Sequence, residues 1–152
     1  AIDAVLMADS GGNAIRAVPI VNANARRQIL GTELWNTEAT LGSNAAMRGA
    51  WFASVSDGLY GQLASKYRTR FGKAPFRLAS LGYDSVLLTV RIARDWRPGT
   101  SFPIGKLMSG DGFGGIDGIF RFNNRGIAVR ALEVSEVGAG GFRVIDAAPA
   151  KW

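Results

Sequence analysis

Ile2-Asp3-Ala4-Val5-Leu6-Met7-Ala8-Asp9-Ser10-Gly11-Gly12 is the stretch on which the fold turns. A short apolar run ending in a glycine turn reads as a buried strand of a parallel sheet that feeds a helix. Ile15, Val18 and Val21 follow at three-residue spacing and predict a helix over 14–25, with Pro19 as a weak point or kink. Gln28-Ile29-Leu30-Gly31 reads as a second strand and closes a βαβ-sized unit.

Further along, 32–47 is rich in Asn, Thr, Gly and Ser and reads as loop with one helical turn, before a third strand over 49–55. Ser56-Asp57 is a cap signal for a helix to Phe71 that carries Leu59, Leu63, Tyr67 and Phe71 on one face. Gly72 and Pro75 end it. Leu78 to Trp96 is the strongest helical pattern, with Leu81, Val86, Leu87, Val90 and Ile92 on a broad apolar face. A short helical piece over 103–108 leads to glycine-rich 109–118, read as a flexible connection. The tail predicts two hairpins, with strands over 118–122, 127–137 and 142–145.

The chain has 152 residues, 47% of them hydrophobic and 20% charged, which is ordinary composition for about one globular domain. Absence of histidine and cysteine excludes Ser-His and Cys-His catalysis, imidazole metal sites, disulfides and thiolate chemistry. The net charge of +6 is spread over separate groups: Arg26 and Arg27, then 66–73, then 91–97. The last two groups fall late in predicted helices, where cations suit the macrodipole. This reads as solvated surface, and with no basic stripe or known module no nucleic acid is expected as a partner. No run approaches the roughly 18 apolar residues of a membrane span. The start, on Ala with no leader, reads as cut.

Three places carry candidate chemistry. Asp9-Ser10-Gly11-Gly12 looks like the surroundings of a serine nucleophile but has no histidine base. A strand-end loop offering free backbone N–H groups at a helix start is the better reading. Glu33, directly after the second strand, is placed to accept an ammonium, and Trp35 to stack on a ligand; a solvated Glu beside a packing Trp is the plain alternative. Tyr83-Asp84 near the start of the long helix lines a cleft or merely caps and packs. The pairs Asp3 with Asp9 and Glu33 with Glu38 are not forced together by spacing. No metal set, no cofactor and no catalytic residue is expected.

Several segments form a recognisable order: 3–9, Leu30-Gly31-Thr32-Glu33-Leu34-Trp35, and Gly49-Ala50-Trp51-Phe52-Ala53. They continue with Phe71-Gly72-Lys73-Ala74-Pro75 and Gly82-Tyr83-Asp84, then the tail Gly115-Ile116-Asp117-Gly118-Ile119-Phe120-Arg121-Phe122 with Gly126. Together they resemble the C-terminal part of a type I periplasmic binding protein of the branched-chain amino-acid group, and within it the penicillin-binding protein activator-like branch.

The resemblance implies an α/β fold: an open, mainly parallel sheet with flanking helices plus C-terminal hairpins, as part of a two-lobe structure closing on a ligand. It divides the chain into a partial ligand-binding lobe, 1–76, and a long helix with hairpins, 77–152, that reach the hinge and the other lobe. It implies that Glu33 meets an α-ammonium, with Asp9 and Ser10 at the cleft edge and Tyr83 near the hinge; with Gly11 of the strand-end loop and the Trp35 indole, these are the expected ligand-binding residues. The implied function is non-catalytic solute binding, of an amino acid or similar small polar molecule. The implied partners are an ABC-transporter permease or, alternatively, a peptidoglycan synthase, in the periplasm, with a lipid anchor on the precursor. A chain shorter than a full family member leaves apolar faces that predict a homo-oligomer.

Overall fold

A computed structural model describes residues 2–152. In chain order its elements are β1 (Ala4–Met7), α1 (Gly11–Val21), β2 (Gln28–Gly31), β3 (Trp51–Ser54), α2 (Gly58–Phe71) and α3 (Ala79–Ala93). Then come β4 (Phe113–Gly115), β5 (Gly118–Phe122), β6 (Ala128–Arg130), β7 (Glu133–Gly138) and β8 (Gly141–Asp146). Two compact units share them. One holds the residues up to Ser54 with Leu132–Ala147, the other Val55–Ala131 with Ala148–Trp152. The units interleave along the chain, where the sequence reading divides it once, between 76 and 77.

The first unit is a five-stranded sheet in the order β1-β2-β3-β7-β8. β1, β2 and β3 run parallel, and the β7–β8 hairpin joins antiparallel at β3. Strand alternation puts Ile29 and Phe52 on the covered face, while Leu6 and Trp51 stay exposed on the other. α1 lays Ala14 and Val18, one turn apart, on the covered face, each 1% exposed. It starts three residues earlier than the pattern predicts, because the Ser10 hydroxyl accepts from the Asn13 N–H at 3.3 Å and caps it. It runs two residues past Pro19 to Val21, and the Asn22 N–H closes its last turn on the Val18 carbonyl at 2.9 Å.

The stretch 32–47, expected as loop, supplies the centre of this core. Three 3-10 turns, Glu33–Trp35, Leu41–Ser43 and Ala45–Met47, sink Trp35, Leu41 and Met47 completely. Each such side chain contributes about 1.5–3 kcal/mol of burial. Phe142 of β8 meets Phe52 edge-on at 4.9 Å and seals the far end. The turn at Gly42 touches the β7–β8 turn so closely that a Cβ there would lie 2.4 Å from the Gly141 nitrogen.

In the second unit, α2 ends at Gly72, whose φ of 74° only glycine adopts freely. No residue of α2 is buried, and Asp57 bonds Arg77 at 3.0 Å and makes no side-chain cap to the helix. α3 buries Ser80, Asp84 and Ile92, whereas Leu81, Val86, Leu87 and Val90 of the expected apolar face are exposed. Polar anchoring decides this rotation. Asp84 accepts the Ile116 N–H at 2.7 Å and faces Arg130 at 3.5 Å, and Ser80 donates to Asp117 at 2.7 Å.

The glycine-rich segment expected as a flexible connection instead contains β4, paired with β5 and holding Phe113 7% exposed. The strand expected over 127–137 breaks after Arg130. β6 pairs with β5, and β7 leaves for the other unit's sheet, an exchange of partners that continuous alternation does not reveal.

Candidate functional site

The carboxyl ends of β1 and β2 carry five of the six expected site residues, and this is the end of a parallel sheet where ligands bind. Asp9 follows β1 and is exposed. Its Oδ1 accepts from the Ser10 N–H at 2.6 Å and from the Asn13 amide at 2.9 Å. The Asn13 bond foremost, with the Ser10 amide, holds this carboxyl below the ordinary aspartate range. Ser10 is occupied as the cap of α1. The first-turn amides of Gly11 and Gly12 have no protein acceptor among the described residues, as helix geometry requires of that turn.

Glu33 opens the 3-10 turn after β2 and is solvent-exposed. Trp35, two residues on, has no exposed surface, and its Nε1–H donates to the Asp9 carbonyl at 2.9 Å. Its indole therefore has no face open to a ligand. It ties the end of β1 to the turn bearing Glu33. Tyr83 lies on α3 in the second unit, 43% exposed.

Glu38 was not singled out for this site by its sequence. Its side-chain stem packs over Gly11, where a Cβ would come within 2.7 Å of Glu38 Cγ. Its carboxylate accepts from the Thr40 hydroxyl and, at 3.2 Å, from the Thr40 N–H. The hydroxyl bond first, then the amide, lowers its pKa. An acid two residues before a Thr, in a loop just after the Gly-x-Glu turn, was the available signal.

The strand ends thus offer acidic acceptors and a few backbone donors, chemistry that suits an ammonium and small polar groups. No cluster of three acidic side chains able to hold a metal occurs among the described residues, and no described helix is long and apolar enough to cross a membrane.

A three-stranded parallel sheet extended by an antiparallel hairpin in one unit, and helices with a small hairpin sheet in the other, make a fold shared with solved type I periplasmic binding proteins. Among its structural neighbours is a Burkholderia xenovorans protein named as a branched-chain amino acid ABC transporter periplasmic ligand-binding protein. Another, a Rhodospirillum rubrum protein assigned as a branched-chain amino acid ABC transporter, is 23% identical with a TM-score of 0.78, over 94% of this chain and 44% of that one. The leucine-binding protein LivK of Thermotoga maritima is 19% identical with a TM-score of 0.60, over 93% and 43%. LpoA of Haemophilus influenzae is 15% identical with a TM-score of 0.66, over 95% and 26%. The chain therefore spans less than half the length of these structures. No family model and no curated relative matches it.

Proposed function

We propose that this chain is part of an extracytoplasmic solute-binding protein that holds an amino acid or similar small polar molecule for an ABC-transporter permease, without catalysis. The observation that carries the reading is the rim after β1 and β2: Asp9, the free amides of Gly11 and Gly12, and exposed Glu33. In this reading Glu33 takes the α-ammonium and Asp9, Ser10 and Gly11 border the ligand. Trp35 holds the rim in place from below, and Tyr83 stands near the hinge. The periplasm is the compartment such a protein serves.

Glu33→Gln should weaken binding of L-leucine, L-isoleucine or L-valine by about 1–3 kcal/mol, the worth of a charged hydrogen bond. Calorimetry giving equal affinity in both proteins removes Glu33 from the clamp. No binding heat with either protein overturns the solute-binding reading.

A second reading is favoured by the fold shared with LpoA: a regulatory module of the cell envelope that activates a peptidoglycan synthase through protein contacts. It predicts a complex with the synthase that no amino acid displaces.

A further inference from the structure

We propose that the first unit binds a phosphate-bearing ligand through Arg26 and Arg48, in a recess at the opposite end of the sheet from the Asp9–Glu33 rim. The recess holds about 350 Å³ and lies where α1 ends and where β2 and β3 begin. Arg26, Arg27 and Arg48 all line it, and none of the described residues that line it is acidic. Neither Arg26 nor Arg48 has an ion-pair partner among the described residues. A concave, one-signed surface focuses the field on an anion more strongly than scattered surface arginines do.

The local geometry separates the three arginines by role. α1 presents its carboxyl end here, and that end of a helix disfavours anions. Arg27 covers it, donating to the Val21 carbonyl and, at 3.1 Å, to the Ala25 carbonyl. Its own N–H is held by Asn22 at 3.0 Å. Arg26 is thereby left facing the recess, its Nη2 3.7 Å from where a Cβ on Gly49 would stand. Gly49 has a φ of +82° and no side chain, so the floor under Arg26 stays open. Arg48 immediately precedes it. Gln28 engages the Gly49 carbonyl at 2.9 Å, which removes an acceptor that would compete with an anion.

Phosphate suits this pair better than a carboxylate. A carboxylate presents one edge that matches a guanidinium fork, whereas the tetrahedral oxygens of a phosphate present a separate edge to each of two forks.

The test is titration with inorganic phosphate, followed by NMR and calorimetry. Wild type should saturate with one phosphate bound per chain, and R26Q/R48Q should lose at least about tenfold in affinity. R94Q/R97Q, with the same loss of charge elsewhere, should stay within about twofold of wild type. Equal losses in the two double variants, or no saturation by about 10 mM, overturn the proposal. Should the glutamine pair fail to fold, R26K/R48K keeps the charge but removes the forks. It must still bind several-fold more weakly at an unchanged urea midpoint, and undiminished affinity overturns the proposal. Vesicles of phosphatidylglycerol, against phosphatidylcholine alone, separate the sources. Retention that depends on Arg26 and Arg48 and is displaced by phosphate assigns a lipid headgroup. Phosphate binding without such retention assigns a soluble ligand.

Discussion

At the scale of single residues, close approach and short-range hydrogen bonding decide what is tolerated. Gly31 lies under the indole of Trp35, and a Cβ there would fall 2.4 Å from two ring carbons. That ring is fully enclosed and held by its bond to Asp9, so it cannot yield. Gly31→Ala should lower stability by about 2 kcal/mol, the usual cost of overpacking, read as a drop in the thermal midpoint. Asp9 makes a different prediction. Its folded pKa lies below the unfolded value, so its contribution to stability is present above the unfolded value and is lost as pH falls through the folded one. Asn13→Ala removes the largest cause, and an NMR titration should find Asp9 moved up towards the ordinary aspartate range. An unmoved Asp9 would mean that the Asn13 bond has no such effect.

Among the elements, the second unit is joined by buried polar groups more than by apolar faces. Asp117, in the β4–β5 turn, receives Arg77 at 2.6 Å and the Ser80 hydroxyl at 2.7 Å. Removing a buried partner leaves the others unpaired and costs about 3–5 kcal/mol. Arg77 keeps Asp57 at 3.0 Å, which places Asp117→Ala at the lower end, near 3 kcal/mol. Urea unfolding checks this, and a midpoint equal to wild type would show that the network carries no stability. The sequence makes α3 itself plain, since Leu81 to Ile92 is long, apolar and free of proline. It does not show which face turns inward, because that was set by Asp84 meeting the Ile116 N–H some thirty residues later in the chain.

At the scale of the whole molecule, exposed apolar surface is the dominant property. Phe76 is 90% exposed, Leu78 75% and Val86 63%. On the sheet of the first unit the face bearing Leu6 and Trp51 is exposed, and the unit's one described α-helix lies on the other face, although parallel strands are usually covered on both faces. Soluble monomers seldom leave more than a few hundred Å² of contiguous apolar surface bare. Light scattering at micromolar concentration should therefore find a dimer or larger species. A monodisperse particle near 16.2 kDa would refute self-association.

The local elements of this protein, and the order in which they occur, were readable from the chain alone. β1, β2, α3 and the Gly72 stop follow from apolar runs, helical spacing and a glycine at positive φ, all properties of neighbours along the chain. The Asp9–Ser10 turn and the position of Glu33 after β2 were legible for the same reason. Long-range packing instead made Trp35, Leu41 and Met47, set in a polar loop, the centre of the core, with Trp35 supporting the rim from beneath. It alone placed Glu38 against Gly11, divided 127–137 between two sheets, and gathered Arg26 and Arg48 around one recess. Burial and charge focusing depend on which segments meet across the fold, and periodicity along a chain carries no record of those meetings.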